Sequence, residues 1–208
     1  ERRESVFEVP DRSFVVGLGQ RIPYYAPPAG FQVRVGLSSS DPFLTGVYRS
    51  GQNRIGLIRI PNFSPSLPSS VVLNLLNNEI AYMRANTDGL VVDVTRNTGG
   101  GCIGLDYAAR LIPNRFWFFG EQLRPTQALI ATYDTYLNAA RQLGAEQWVI
   151  DTYEVRLAEL KSSQRENRAM TGPIPACGSS AVSPAFQAPS FENEPFTAPD
   201  GTVLAYDK

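Results

Sequence analysis

A short apolar run that ends in three consecutive glycines constrains this chain more than any other stretch: Gly89-Leu90-Val91-Val92-Asp93-Val94-Thr95-Arg96-Asn97-Thr98-Gly99-Gly100-Gly101. The apolar part predicts a buried strand. The glycines predict a loop whose backbone takes φ > 0 or is approached closely by something else. Consecutive bare N–H groups in such a place can face an anion or a polarised carbonyl oxygen, which is the raw material of an oxyanion hole. The glycines are contiguous, unlike the spaced Gly-x-Gly-x-x-Gly of dinucleotide sites, and no phosphate-loop Lys follows them. Without its surroundings, a glycine triplet after a strand reads equally as a plain βα turn.

The surroundings extend the pattern. Ile55-Gly56-Leu57-Ile58-Arg59-Ile60, closed by Pro61, predicts an earlier strand. Leu73, Leu76, Ile80 and Met83 then recur at helical spacing, with Ser66, Pro68 and Ser69 at the start and Asn86-Thr87-Asp88-Gly89 as the stop. A crossover of that length between strands predicts a parallel pair, with the glycine loop at the carboxyl end of the second strand, where α/β sheets usually keep their sites. Leu105, Ala108, Ala109 and Ile112 predict a further helix from just beyond the glycines to Pro113. Asp93, at the end of its strand, reads as a brace for the loop more readily than as an acid–base group.

Over residues 55–112 the pattern Ile-Gly-x-Ile-Arg-Ile-Pro-x-Phe, a helix, then Gly-Leu-Val-Val-Asp-Val-x-x-Asn-x-Gly-Gly resembles the core of the tail-specific, or C-terminal processing, serine peptidases. Asp93, Asn97, Gly99 and Gly100 fall on that family's motif. Thr95 stands where the family usually has Arg, and Thr98 where Pro is common. The resemblance implies an α/β fold of the Clp-protease/crotonase-like type, with a parallel βαβ unit and an inserted helical hairpin. It also implies peptide-bond hydrolysis through an acyl-enzyme. Gly100 takes the oxyanion-donor position, with the Gly101 N–H as its neighbouring candidate, while Asp93, Asn97 and Gly99 brace the loop. The implied partner is a protein or peptide substrate, and the implied setting is extracytoplasmic or secreted. A non-catalytic relative that binds an apolar ligand or a peptide is the alternative. An acyl-CoA enzyme of the related crotonase type lacks support from any suitably placed acidic pair.

What the chain lacks narrows the chemistry. It has no histidine, so neither a Ser-His-Asp triad nor a His-containing metal site can be assembled from it. The sequence predicts no metal and no cofactor. The family's nucleophile follows a hydrophobic strand as a small-Ser-small sequence entering a helix, and no such unit follows Gly101. Gly178-Ser179-Ser180-Ala181, with Lys208 downstream, imitates it, but Pro173, Pro175, Pro184 and Pro189 leave room for neither strand nor helix. The expectation is therefore a fragment: Gly201 to Lys208 reads as a turn and strand leading to a further core strand, with the serine and its base beyond Lys208. Such a fragment is expected to be inactive alone. Cys102 sits at a helix N-terminus, where a thiol pKa can fall, but it has no histidine partner and reads first as a small semi-buried residue. Whether it pairs with Cys177 stays open at this level.

The net charge of −1, with no Lys/Arg run, gives no footprint for nucleic acid or an anionic membrane. No apolar run approaches the ~20 residues of a membrane span. With 208 residues, 43% of them hydrophobic, the chain can build one substantial domain. Residues 1–54 read as lead-in strands or a subdomain, from Val15-Val16, Phe31, Val33, Val35 and Val47 broken by proline and serine clusters. The stretch from Gly19 to Gly30, with two tyrosines and three prolines, reads as a surface loop, or as a surface for extended peptide. Residues 55–208 read as the partial core. Within it, Leu129, Tyr133, Tyr136 and Ala140, then Val149, Tyr153, Leu157 and Leu160, predict a helical insertion over 121–168, over or beside the cleft. Phe116 to Phe119, with Trp117 among them, read as core or edge-strand residues. Residues 171–200, rich in Pro, Ser and Ala, read as a long loop.

Overall fold

The computed structural model describes residues 21, 26–38, 40–177 and 189–208. Gly178-Ser179-Ser180-Ala181, Val15-Val16 and most of the Gly19–Pro23 segment lie outside the described residues. The fold is mixed α/β and divides into two compact units, Glu1–Asn114 with Pro195–Lys208, and Arg115–Glu194.

The first unit is built on a four-stranded sheet of order β1-β2-β3-β4, comprising β1 (Gln32–Val35), β2 (Leu44–Ser50), β3 (Asn53–Arg59) and β4 (Gly89–Asp93). The first three strands are antiparallel neighbours. β3 and β4 are parallel, with Leu57 opposite Val91 and Arg59 opposite Asp93. The crossover between them is α1 (Ser69–Asn86). Its apolar stripe of Val72, Leu73, Leu76, Ile80 and Met83 packs against Phe43, Val47, Ile58 and Ile60, so the core lies between helix and sheet. A Cβ on Gly56 would meet the Met83 sulfur at 2.6 Å, so a bare backbone at that point of β3 lets α1 seat closely. α2 (Ile103–Leu111) follows the glycine loop and adds Ile103 and Tyr107 to the same core.

The described strands before residue 54, β1 and β2, are part of this same sheet. β2 pairs with β3 along its whole length and β1 continues the sheet, because Val47 and Val35 need the same helix-covered face as Ile58. The C-terminal stretch also differs from its expected strand. Val203 makes an isolated bridge to Thr197, and a turn closes at Gly201. Leu204 and Tyr206 then pack against the core, while Asp207 pairs with Arg84 at 2.8 Å. Side-chain burial takes this segment off along α1 before a ladder can extend.

The second unit is a helical hairpin with two small β-ribbons. α3 (Gln127–Gln142) starts at Thr126, whose Oγ1 accepts from Leu129 N at 3.2 Å. α4 (Gln147–Arg165) returns alongside it, with Ile130 and Leu137 buried against Leu157 and Leu160. β5 (Phe116–Trp117) pairs with β8 (Glu192–Asn193), and β6 (Gly120–Glu121) with β7 (Ile174–Pro175). The stretch 171–200 is thus not loop throughout. Phe116-Trp117 is an edge strand and not core, since Trp117 is 71% and Phe119 64% exposed.

Candidate functional site

The loop 94–102 connects β4 to α2 at the carboxyl end of the parallel pair, and hydrogen bonds fix its amides at 97, 98, 99 and 101. Asn97 N donates to Val94 O at 3.0 Å and Thr98 N to Pro61 O at 3.2 Å. Gly99 N donates to Asn97 Oδ1 at 2.7 Å, and Asn97 Nδ2 donates to Ile60 O at 2.9 Å. The Asn97 amide therefore ties the loop both to itself and to the end of β3. Gly101 N donates to Phe63 O at 2.8 Å, and Phe63 N to Gly99 O at 2.7 Å, which makes a one-residue parallel bridge between Phe63 and Gly100.

That bridge sets the direction of the Gly100 amide. Phe63 uses its own N–H and C=O on the residues flanking Gly100, so the Gly100 N–H points to the other side of the segment. No acceptor among the described residues takes it. The N–H of the expected neighbour, Gly101, is occupied by Phe63 O. Gly100 has φ 142, and a Cβ there would lie 2.3 Å from the Phe63 carbonyl carbon, so both conformation and close approach demand glycine.

Asp93 sits where β4 meets the loop. Its Oδ1 accepts from Thr95 N at 2.8 Å, and its Oδ2 takes Arg59 Nη1 at 2.9 Å. Burial pushes the Asp93 carboxyl up, but the Thr95 and Arg59 hydrogen bonds outweigh it, and the group lies below the usual carboxylate range. It is therefore an ion at neutral pH and an acceptor only. Arg59 is fully buried and donates also to Thr95 O at 3.0 Å. Sequence reasoning did not single out Arg59. The available signal was a cation inside an apolar strand, one step from a loop, opposite an acid at the same step of the next strand.

Phe63 is part of the site as well. Its ring packs on Gly104 and meets Tyr107 edge-on at 5.9 Å. Burial pushes the Tyr107 phenol up to about 12, so it is not a base near neutral pH. Ser64 is beside the loop, its Oγ 2.5 Å from where a Gly100 Cβ would be. No lysine serves it: Lys161 pairs with Asp134, and Lys208 Nζ donates to Thr87 O at 3.2 Å. Cys102 forms the start of α2 and is not a free thiol. Among the described residues, no cluster of His, Cys, Asp and Glu is arranged to hold a metal, and no helix is long and apolar enough to cross a membrane.

Beside β4, on the sheet face away from α1, runs a mostly apolar groove of about 520 Å³ lined by Pro27, Pro28, Tyr48, Leu57, Val91 and Val94. Its lining ends at Asp93, Val94 and Thr95, where β4 gives way to the loop.

No protein-family model matches the chain, and no curated protein matches it by sequence. Among solved structures it is similar to mature CPAF complexed with lactacystin, at 17% identity and a TM-score of 0.55, over 93% of this chain and 39% of that one. It is similar also to a crystal structure of mature CPAF, at 16% identity and a TM-score of 0.50, over 81% and 37%. CPAF is a chlamydial serine protease. At these identities the likeness is one of fold, and the chain spans about two-fifths of the structures it matches.

Proposed function

We propose that this chain supplies the oxyanion loop of a serine-type peptidase core of the Clp-protease/crotonase-like kind, related to the tail-specific peptidases. The observation that carries the reading is the Gly100 N–H, left without an acceptor in a loop where the amides of 97, 98, 99 and 101 are all engaged. A donor fixed on both sides by hydrogen bonds needs no reorganisation when charge develops on a carbonyl oxygen, and such donors are worth about 10²–10³ in kcat. In this reading Gly100 stabilises the tetrahedral oxyanion. Asn97 and Gly99 hold the turn, and the Asp93–Arg59 pair anchors its first residue. The substrate is a peptide bond, and the serine and its base come from sequence beyond Lys208. The fold shared with a serine protease supports the reading.

The test uses the gene product that contains these residues together with whatever follows them. It is treated with a fluorophosphonate probe, and the modified residue is mapped by mass spectrometry. One labelled serine after Lys208, with labelling lost in Gly100→Ala and kept in Gly101→Ala, is the expected result. Folded protein that takes up no label and cleaves no peptide overturns it. That outcome favours the second reading, a non-catalytic relative whose ligand occupies the apolar groove between Tyr48, Leu57 and Val91.

A further inference from the structure

At the other end of the first unit's sheet, far from the glycine loop, the β2–β3 hairpin carries an arrangement that folding alone does not favour. Arg49 on β2 and Arg54 on β3 are direct cross-strand partners, two residues from the Gly51-Gln52 turn. Like charges placed directly opposite one another on a sheet destabilise it. The other cations nearby are neutralised. Arg34 makes a two-pronged pair with Glu79 at 3.0 Å through both Nε and Nη2, so that acid is spent. Arg54 has Nη2 on the Tyr82 hydroxyl at 2.9 Å, which fixes its guanidinium without cancelling its charge. Asp88 meets the Arg54 backbone N–H at 2.8 Å and makes no ion pair with its side chain. The Arg49 side chain is exposed and has no hydrogen-bond or ion-pair partner among the described residues.

Both arginines line a groove of about 290 Å³ with Gln32, Gly30, Val47 and Tyr48, and no acidic residue lines it. The groove lies where β1 begins: Gln32 is opposite Val47, so Tyr48, Arg49 and Ser50 have no partner strand on that side among the described residues. An open stretch of edge beside two unneutralised guanidinium groups suits an extended backbone that carries carboxylates.

We propose that this groove binds an acidic segment of an extended peptide, with carboxylates held between Arg49 and Arg54 and the peptide backbone laid along Tyr48–Ser50. The site is independent of the peptidase reading and stands or falls without it. Gln32 offers a side-chain amide to the same ligand. The groove has room for a substituent beyond the anion itself, which separates a peptide from a bare oxoanion.

The experiment titrates the chain at low ionic strength with N-acetyl pentaglutamate amide, its pentaglutamine counterpart and inorganic phosphate, followed by amide NMR shifts and calorimetry. Arg49→Glu is the informative variant, because it converts the like-charge pair into an opposite-charge pair. Its thermal midpoint should be equal to or above the wild type's at low salt, so a loss of binding is not a loss of fold. Saturable binding of pentaglutamate with shifts at Gln32, Tyr48 and Arg49, none for pentaglutamine, and about tenfold weaker binding in Arg49→Glu are expected, the last being the loss typical of one charged hydrogen-bond partner. No saturable binding, equal affinity in Arg49→Glu, or binding of phosphate without the peptide would each overturn the proposal.

Discussion

Gly100 and Gly101 are adjacent and chemically identical, yet the structure sets them in opposite circumstances. A methyl group on Gly100 runs into the Phe63 carbonyl at 2.3 Å, whereas on Gly101 the nearest atom is 3.7 Å away. Gly100→Ala should therefore lower the thermal midpoint and shift the amide resonances of 97–101. Gly101→Ala should stay within about 0.5 kcal/mol of the parent. Equal effects from the two would show that the Phe63 bridge is not what holds the loop. Arg59 and Asp93 allow a second test. Removing the acid takes the ionic partner from a fully buried guanidinium that still donates to Thr95 O, and breaking a pair of this kind costs on the order of 3 kcal/mol. Asp93→Ala, followed by urea unfolding, should show a loss of that size. The pairing was readable in part, since both residues stand at strand ends in the sequence. Their common register, Arg59 opposite Asp93, became visible only with the parallel ladder in place.

The elements differ in how plainly their residues announced them. α1 was legible because period 3.6 is a local property: Leu73, Leu76, Ile80 and Met83 form a stripe whatever they pack against. Leu76, fully buried in that stripe, should cost about 2–5 kcal/mol as Leu76→Ala, the range for truncating a core leucine. The α3–α4 hairpin was equally plain, and its cap is testable. Thr126→Ala removes the acceptor for Leu129 N and should cost about 1 kcal/mol, read as lost helicity or a lower midpoint. The short strands β5 to β8 were not legible. Two residues make no periodicity, and such strands exist only because a distant segment pairs with them, as Phe116 does with Asn193. The same reason explains the tail. Its alternating residues suggested a ladder, but Leu204 and Tyr206 found burial against the core first.

For the molecule as a whole, acid should be more damaging than base near neutrality. The chain has no histidine and no free cysteine, so few side chains titrate between pH 5 and 8. Several carboxyls lie below their ordinary range. Asp93 is one. Glu159 is another, held down first by the Gly172 backbone N–H and then by Arg168. A carboxyl whose folded pKa is depressed contributes stability that is fully present above its unfolded pKa and is lost as pH falls through the folded value. Thermal midpoints should thus be nearly flat from pH 8 to about 5 and fall progressively below about pH 4. A midpoint that rose on acidification would contradict the assigned directions. The amino-acid sequence by itself determined what depends on composition and on neighbours along the chain: the absence of imidazole chemistry, the stripe of α1, the hairpin of the second unit and the glycine loop after an apolar strand. Tertiary structure alone decided what depends on where distant groups meet. It joined β1 and β2 to the same sheet as β3 and β4, and it placed Arg59 against Asp93. It also brought Phe63 to the loop, where its two hydrogen bonds occupy Gly101 and Gly99 and leave Gly100 as the donor. A sequence states which amides exist; which of them lacks an acceptor follows only when every neighbour has been placed.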